Sequence, residues 1–136
     1  MAASVLVDAG FIIALLSRRD VHHEWSVSQA AERTPPWSTC EAALSEAFHL
    51  LRARGTHPLQ ELLRRDALRL NFDLAGQLDP VLALMNKYAD VPMSLADACL
   101  VRMTEMIPDA VILTTDADFR VYRRHGRQVV PCVMPD

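Results

Sequence analysis

The chain has 136 residues, which is enough for one domain built around one hydrophobic core. With 51% hydrophobic and 23% charged residues, it has the composition of a globular protein, which excludes a disordered chain. The net charge of −3 excludes a basic footprint for nucleic acid over the whole domain, and no apolar run approaches the roughly 20 residues of a membrane span.

The first third of the chain predicts an alternation of strands and helices. Residues 4–8 are β-branched and weakly alternating, which indicates a buried strand, and a short apolar helix at 11–16 follows. Asp20 is suited to cap a helix that runs to Glu32 and ends before Pro35-Pro36.

A very short strand at 37–38 and a longer helix are predicted next. The pattern Ser38-x-x-Glu41 is typical of a capping box and predicts a helix through Arg54, with Gly55 just beyond its end. A further helix is expected at 58–66, and an edge or half-buried strand at 68–72.

The second half of the chain continues the same alternation. Residues 74–88 are helical, in one or two pieces because Asp79-Pro80 can restart a helix. Ser94-x-x-Asp97 is a second capping-box pattern and heads a helix to about Met106. The remaining expected elements are a central strand at 111–113, a helix at 116–125 with Gly126 as its cap, and a final strand at 128–133. About five strands alternating with helices predict a single α/β domain, a three-layer sandwich around a mostly parallel sheet.

The cysteines and the start of the chain bear on the compartment. Cys40, Cys99 and Cys132 are odd in number and widely spaced, so neither a disulfide framework nor a zinc site is expected. They are typical of reduced, buried thiols and predict a cytoplasmic protein. Residues 1–4 carry no charged segment and Asp8 interrupts the first apolar stretch, which argues against a signal peptide.

Four acidic residues lie at comparable points of the predicted elements. Asp8 and Asp116 each follow a short apolar run, whereas Glu46 and Asp97 lie near the starts of helices. In an open α/β sheet, strand ends and the adjacent helix starts meet at one crevice where ligands bind. Carboxylates gathered there repel one another unless a hard cation neutralises them, so the pattern predicts a Mg²⁺ or Mn²⁺ site.

Each acid, taken alone, also has a structural explanation. Asp8 suits a cap of the helix that follows it, and Glu46 suits the surface of an amphipathic helix. Asp97 completes a capping box without any chemistry. Asp116 is suited to cap the next helix, with Asp118 interacting favourably with the helix dipole. Nevertheless, four acids at comparable positions on separate elements are much less expected by chance than a single acid at one such position.

Each acid lies in a short motif, and the motifs follow one another over nearly the whole chain. In chain order they are Val5-Leu6-Val7-Asp8, Leu44-Ser45-Glu46-Ala47, Met93-Ser94-Leu95-Ala96-Asp97-Ala98 and Leu113-Thr114-Thr115-Asp116-x-Asp118-Phe119. In this order and spacing they resemble the motifs of the PIN-domain ribonucleases, and within them the VapC-type toxins of bacterial toxin–antitoxin pairs.

The resemblance implies a PIN-like fold and a metal-dependent endoribonuclease that hydrolyses RNA phosphodiester bonds. Thr115 would supply a hydroxyl or hold a water near the substrate, and Asp118 is an alternative to Asp116 as the last metal ligand. Family toxins usually pair with an antitoxin and often dimerise, so a cognate antitoxin and a homodimer are expected. The residues implied to be catalytic and to bind one or two Mg²⁺ or Mn²⁺ ions are Asp8, Glu46, Asp97 and Asp116.

Basic residues cluster most densely near the C-terminus, at Arg120, Arg123, Arg124 and Arg127. Because guanidinium groups suit bidentate phosphate contacts, we expect Arg120, Arg123 and Arg124 to bind RNA. A solvated helix face and a contact with an acidic antitoxin segment are the alternatives.

Two other functions are compatible with an α/β fold that carries acids at strand ends. A non-catalytic RNA- or protein-binding module is the main alternative, although the filled acidic positions disfavour it. A phosphoacceptor receiver domain is less favoured, because Asp8 stands alone at the first strand and Lys87, the one lysine, lies outside a strand end.

Overall fold

The computed structural model describes residues 4–136, in which a five-stranded parallel sheet is the central feature. The strands are β1 (Ser4–Val7), β2 (Trp37–Thr39), β3 (Leu68–Leu70), β4 (Ala110–Leu113), β5 (Arg123–Arg124), β6 (Gln128–Val129) and β7 (Cys132–Val133). The sheet has the order β3-β2-β1-β4-β7, and β5 and β6 form a separate antiparallel hairpin.

Six α-helices connect and cover these strands within the described residues. They are α1 (Ala9–Leu16), α2 (His23–Glu32), α3 (Glu41–Leu51), α4 (His57–Arg64), α5 (Leu78–Lys87) and α6 (Leu95–Met106). Short 3₁₀ turns at Ala75–Gln77 and Ala117–Arg120 precede α5 and follow β4. None of the helices in 4–136 is long and apolar enough to cross a membrane.

The side chains of the central strands alternate between two cores, one on each face of the sheet. Leu6 and Ile112 belong to the core built with α5 and α6, whereas Val7 and Leu113 belong to the core built with α1 and α4. This follows from the two-residue period of a strand buried on both faces. The predicted fold class, a three-layer α/β sandwich around a parallel sheet, is therefore confirmed.

Several predicted boundaries in the first half are corrected. The helix expected from Asp20 begins at His23, because the Asp20 carboxylate accepts the His22 N–H in the preceding turn. Ser38 does not cap α3, because it lies in β2 and pairs with β3; Cys40 takes the cap position instead. The same helix ends at Leu51 and not at Arg54.

The helix expected at 116–125 is wrong. One 3₁₀ turn forms after Asp116, and the chain then enters the β5–β6 hairpin, whose reversal uses positive φ angles at His125 (51°) and Gly126 (84°). Gly126 therefore caps no helix, and the strand expected at 128–133 is divided between the hairpin and the sheet. The expectation of no signal peptide rests in part on residues 1–3, which lie outside the described residues.

Candidate active site

The candidate site lies at the carboxyl ends of β1 and β4. These neighbouring strands form the switch point of the sheet, because the sheet strands that follow each of them along the chain are added on opposite sides. From β1 the chain moves outward to β2 and β3, and then returns to place β4 on the other side of β1. Open α/β sheets bind ligands at such a switch point, because the loops leaving the two strands diverge. Val7 and Leu113 are paired in register, so Asp8 and Thr114 emerge side by side.

A pocket of about 310 Å³ opens at this point, and its polar lining is dominated by carboxylates. No lysine or arginine lines it, and none of the ion pairs among residues 4–136 involves its acids. All four predicted acids and the alternative fifth are therefore brought to one pocket without a protein cation. The lining residues are Asp8, Ala9, Gly10, Glu46, Pro92, Ser94, Ala96, Asp97, Thr115, Asp116 and Asp118.

Asp8 is the most deeply placed acid, with 8% of its surface exposed. Its Oδ1 accepts the Phe11 N–H at 3.2 Å and so caps α1, while its Oδ2 accepts a hydrogen bond from the Thr114 hydroxyl. Burial, reinforced by the charges of Asp97 and Asp116, raises its pKa from 3.8 to about 6 despite these two donors. No cationic side chain of the described residues lines the pocket to offset this burial.

Asp97 projects from the first turn of α6. Ser94 and Asp97 form the predicted capping box, with the Asp97 N–H donating to Ser94 Oγ at 3.0 Å and the Ser94 N–H donating to Asp97 Oδ2 at 3.3 Å. The Tyr122 hydroxyl also donates to Asp97 Oδ2, at 3.0 Å. Burial, with a contribution from Asp116, raises the pKa of Asp97 despite these donors.

The fourth motif contributes both Asp116 and Asp118 to the pocket. The charge of Asp116 raises the pKa of Asp8 and of Asp97, and the charges of Asp118 and Asp116 both raise the pKa of Tyr122. Thr114 links the two strand ends, because its Oγ accepts the Asp116 N–H at 3.0 Å while its hydroxyl donates to Asp8. Asp116 Oδ1 accepts the Asp118 N–H at 2.9 Å, so Asp116 also caps the 3₁₀ turn.

Glu46 and Thr115 also line the pocket. Glu46 lies on α3 and is exposed to solvent, so its side chain has room to move toward the pocket. Thr115 is half-buried beside Gly10, where a Cβ on residue 10 would collide with the Thr115 hydroxyl. Glycine at residue 10 therefore leaves the space that the Thr115 hydroxyl occupies in the pocket wall.

The predicted RNA-binding arginines lie outside this lining. Arg120 is exposed, but Arg123 and Arg124 are half-buried and engaged with the backbone. Arg123 donates to the carbonyls of residues 120–122, and Arg124 donates to the Thr104 carbonyl at 2.9 Å. One guanidinium nitrogen of Arg123 and one of Arg124 are therefore anchored to backbone carbonyls, whereas the Arg120 side chain is exposed.

The donor set fits a hard divalent cation. Carboxylate oxygens are the ligands that Mg²⁺ prefers, and no lysine or arginine of residues 4–136 lines the pocket to neutralise them. No three His, Cys, Asp or Glu side chains within 4–136 already have the close spacing of a metal site. The acids line the pocket without the close spacing of a formed metal site, so ion binding would require them to approach one another.

A second, larger pocket offers a weaker case for chemistry. Its volume is about 480 Å³, and its lining is mainly apolar with two thiols and only two acids. Its principal residues are Cys40, Glu41, Phe72, Asp73, Leu74, Leu78 and Cys99.

Two residues that touch the acids were not identified as site residues from sequence. Thr114 lies within the fourth motif and directly follows a predicted strand, so its position in the sequence could have indicated that its hydroxyl lies near Asp8. Tyr122 lies in a segment predicted to be helical, and no local pattern indicates that its hydroxyl reaches an acid 25 residues earlier.

Comparisons with known proteins identify the family and the fold. The model of the PIN domain family matches residues 5–124. Among similar solved structures is Mycobacterium tuberculosis VapC20, described as a toxin that cleaves the sarcin–ricin loop, with a TM-score of 0.75 and 20% sequence identity. The match covers 87% of this chain and 94% of VapC20, and at that identity it establishes a shared fold. No curated protein matches the chain in sequence.

Proposed function

The chain belongs to the PIN-domain family, and from this premise we propose that it is a Mg²⁺- or Mn²⁺-dependent endoribonuclease, the toxin of a toxin–antitoxin pair. The observation that carries the proposal is the gathering of five carboxylates, without a protein cation, in one pocket at the switch point of the sheet. Such a pocket repels a phosphodiester unless a cation is bound, and with one it attracts the same group.

In this proposal Asp8, Asp97 and Asp116 hold the cation, and Glu46 reaches in from α3. When bound, the divalent ion lowers the pKa of the attacking water and offsets charge that develops on the phosphate. The protein supplies the orientation: Thr114 fixes the Asp8 carboxylate, and the capping box fixes that of Asp97. Asp118 lines the same pocket and is the alternative last ligand; the effect of the Asp116 charge on the pKa of both Asp8 and Asp97 favours Asp116.

Binding of RNA in this proposal uses the pocket wall and the exposed arginines. Thr115 offers a hydroxyl to a phosphate oxygen or to the attacking water. Of the three predicted arginines, Arg120 is the exposed one, since Arg123 and Arg124 are held by carbonyls, and we infer that it contacts the RNA backbone. An RNA substrate also agrees with a cytoplasmic location, as do the three cysteines, which are free thiols in the described chain.

The relationship to VapC-type toxins supports two further parts of the proposal, a cognate antitoxin and a homodimer. An antitoxin would restrain the nuclease by covering the pocket or the arginine cluster. Both parts are testable by co-purification of the neighbouring gene product and by the mass of the protein in solution.

The proposal is tested by RNA cleavage and by growth arrest on expression. Purified wild type is compared with Asp8→Asn and Asp97→Asn on total RNA and on ribosomal RNA, which carries the sarcin–ricin loop described as the target of VapC20. We expect each variant to lose at least about 100-fold in cleavage rate, since each removes a charged ligand. Asp79→Asn is the matched control, because Asp79 is an exposed acid of α5 that does not line the pocket.

Cleavage by both site variants at the rate of wild type would remove the proposed site. Wild-type protein that is folded, free of any partner and inert on RNA with Mg²⁺ or Mn²⁺ would instead support a non-catalytic binding module.

A further inference from the structure

We propose that Tyr122 is a positioning residue that orients the Asp97 carboxylate toward the bound cation. This inference rests on the proposed function of the pocket and adds a residue to it that lies outside the four acidic motifs. Tyr122 does not line the pocket, so its effect on the site would pass through Asp97.

The Tyr122 ring is held firmly, so its hydroxyl has a defined direction. The side chain is fully buried, and it packs edge-on against Phe119 with the ring centroids 5.3 Å apart and against Tyr88 at 5.2 Å. Edge-to-face aromatic pairs of this kind restrict ring motion and favour one orientation. From this position the hydroxyl donates to Asp97 Oδ2 at 3.0 Å.

The hydrogen bonds at Asp97 distinguish its two oxygens. Oδ2 accepts from the Tyr122 hydroxyl and from the Ser94 N–H, whereas none of the hydrogen bonds among residues 4–136 ends on Oδ1. Two donors on one oxygen leave the other oxygen to face the pocket. Tyr122 would therefore leave Oδ1 as the Asp97 oxygen available to a cation.

The same hydroxyl ties together two segments that carry acids of the pocket. The N–H of Tyr122 donates to the Asp118 carbonyl at 3.2 Å, so its backbone belongs to the turn that carries Asp116 and Asp118. Its hydroxyl reaches the start of α6. Because Asp97 and Asp116 repel each other, a neutral donor that spans the two segments opposes their separation when no cation is bound.

Substitution of Tyr122 by Phe removes only the hydroxyl and keeps the packed ring. Tyr88→Phe is the matched control, because Tyr88 is a buried neighbour whose hydroxyl accepts the Arg123 N–H at 2.8 Å and has no hydrogen bond to an acid within residues 4–136. Mn²⁺ binding is measured by titration calorimetry on metal-stripped protein, with Asp97→Asn as the reference for loss of the ligand, and melting temperatures are recorded in parallel.

We expect Tyr122→Phe to raise the Kd for Mn²⁺ by roughly 10-fold, the usual effect of losing a hydrogen-bond partner of a metal ligand. Tyr88→Phe should bind within about twofold of wild type. The cleavage deficit of Tyr122→Phe should also shrink as Mn²⁺ is raised, which a general loss of packing would not produce.

The outcomes separate the positioning role from the proposed function. If Asp97→Asn weakens binding but Tyr122→Phe binds like wild type, the positioning role is overturned and the metal site stands. Equal weakening by Tyr122→Phe and Tyr88→Phe would also overturn it, since it would reflect loosened packing. If wild type does not bind Mn²⁺, or Asp97→Asn binds as well as wild type, the metal site fails and the role of Tyr122 fails with it.

Discussion

Asp8 contributes to both the fold and the site, and these two roles have opposite effects on the stability of the protein. Its carboxylate caps α1 and accepts the Thr114 hydroxyl, yet it is buried among other acids. Two hydrogen bonds do not offset this burial, and the pKa rises to about 6. The charged form is therefore a source of instability in the metal-free protein, and a bound cation would relieve it.

Asp8→Asn should change how the stability of the metal-free protein depends on pH. Because the folded pKa of about 6 lies above the unfolded value of 3.8, the contribution of Asp8 is fully present below pH 3.8 and is lost as pH rises through 6. That loss corresponds to at most about 3 kcal/mol. We expect urea denaturation to show wild type losing stability between pH 4 and pH 8, with a smaller loss in Asp8→Asn.

The exposed variant Asp79→Asn should retain the wild-type slope in the same measurement. Asp97 contributes to the slope with the same sign, because its pKa is also raised, so Asp8→Asn should flatten the profile without abolishing it. Identical slopes for wild type and Asp8→Asn would contradict the burial of an uncompensated charge.

Sequence reasoning identified the acids, but it could not decide between their structural and chemical roles. Asp8 and Asp97 do act as caps, as the structural explanation predicted, and they also line the pocket. The two roles coincide because a helix N-terminus and a strand end meet at the same edge of the sheet. The choice between Asp116 and Asp118 depends on three-dimensional distances to the other acids, which their order in the fourth motif does not give.

Helix α6 is the element that depends most on a local sequence signal. Both hydrogen bonds of its capping box form, and the box contains Asp97 itself. Ser38-x-x-Glu41 has the same pattern, yet Ser38 lies in β2, where it pairs with β3 and does not cap a helix. A local capping preference is worth about 1 kcal/mol, which strand pairing and core burial together exceed.

Ser94→Ala should therefore affect both the stability of the fold and the site. Loss of the bond from the Asp97 N–H to Ser94 Oγ should lower the free energy of unfolding by about 1 kcal/mol. RNA cleavage should fall more than this loss explains, because the backbone that carries Asp97 is loosened. Thr56→Ala is the control: Thr56 holds the same position at α4 but caps no backbone N–H. Equal effects of the two variants on cleavage would argue against a role for the cap in the site.

The segment after β4 shows where element prediction failed and why. Residues 116–125 have helical composition, but the Asp116 carboxylate captures the Asp118 N–H, and Tyr122 turns inward to Asp97. Arg123 and Arg124 then pair with Val129 and Gln128 in the hairpin. These are tertiary contacts, so no window of the sequence contains them.

At the scale of the whole molecule, the alternation of elements was sufficient to predict the fold. Parallel strands joined by helices have few arrangements, and β1 and β4 are strongly apolar, which places them in the interior of the sheet. The position of the site follows from that topology, because the reversal of strand order brings Asp8 and Asp116 to one edge. The topology does not predict which hydrogen-bond donors contact each carboxylate.

The central claim is that these carboxylates form a cation-dependent site for RNA hydrolysis. The most direct test is to measure the cleavage rate of metal-stripped wild-type protein as Mn²⁺ is added back. Asp8→Asn and Asp97→Asn, purified in parallel, exclude a contaminating nuclease. We predict no cleavage in chelator and a rate that rises and saturates with Mn²⁺ in wild type alone. Cleavage at an unchanged rate in chelator, or intact RNA at saturating Mn²⁺, would contradict the account.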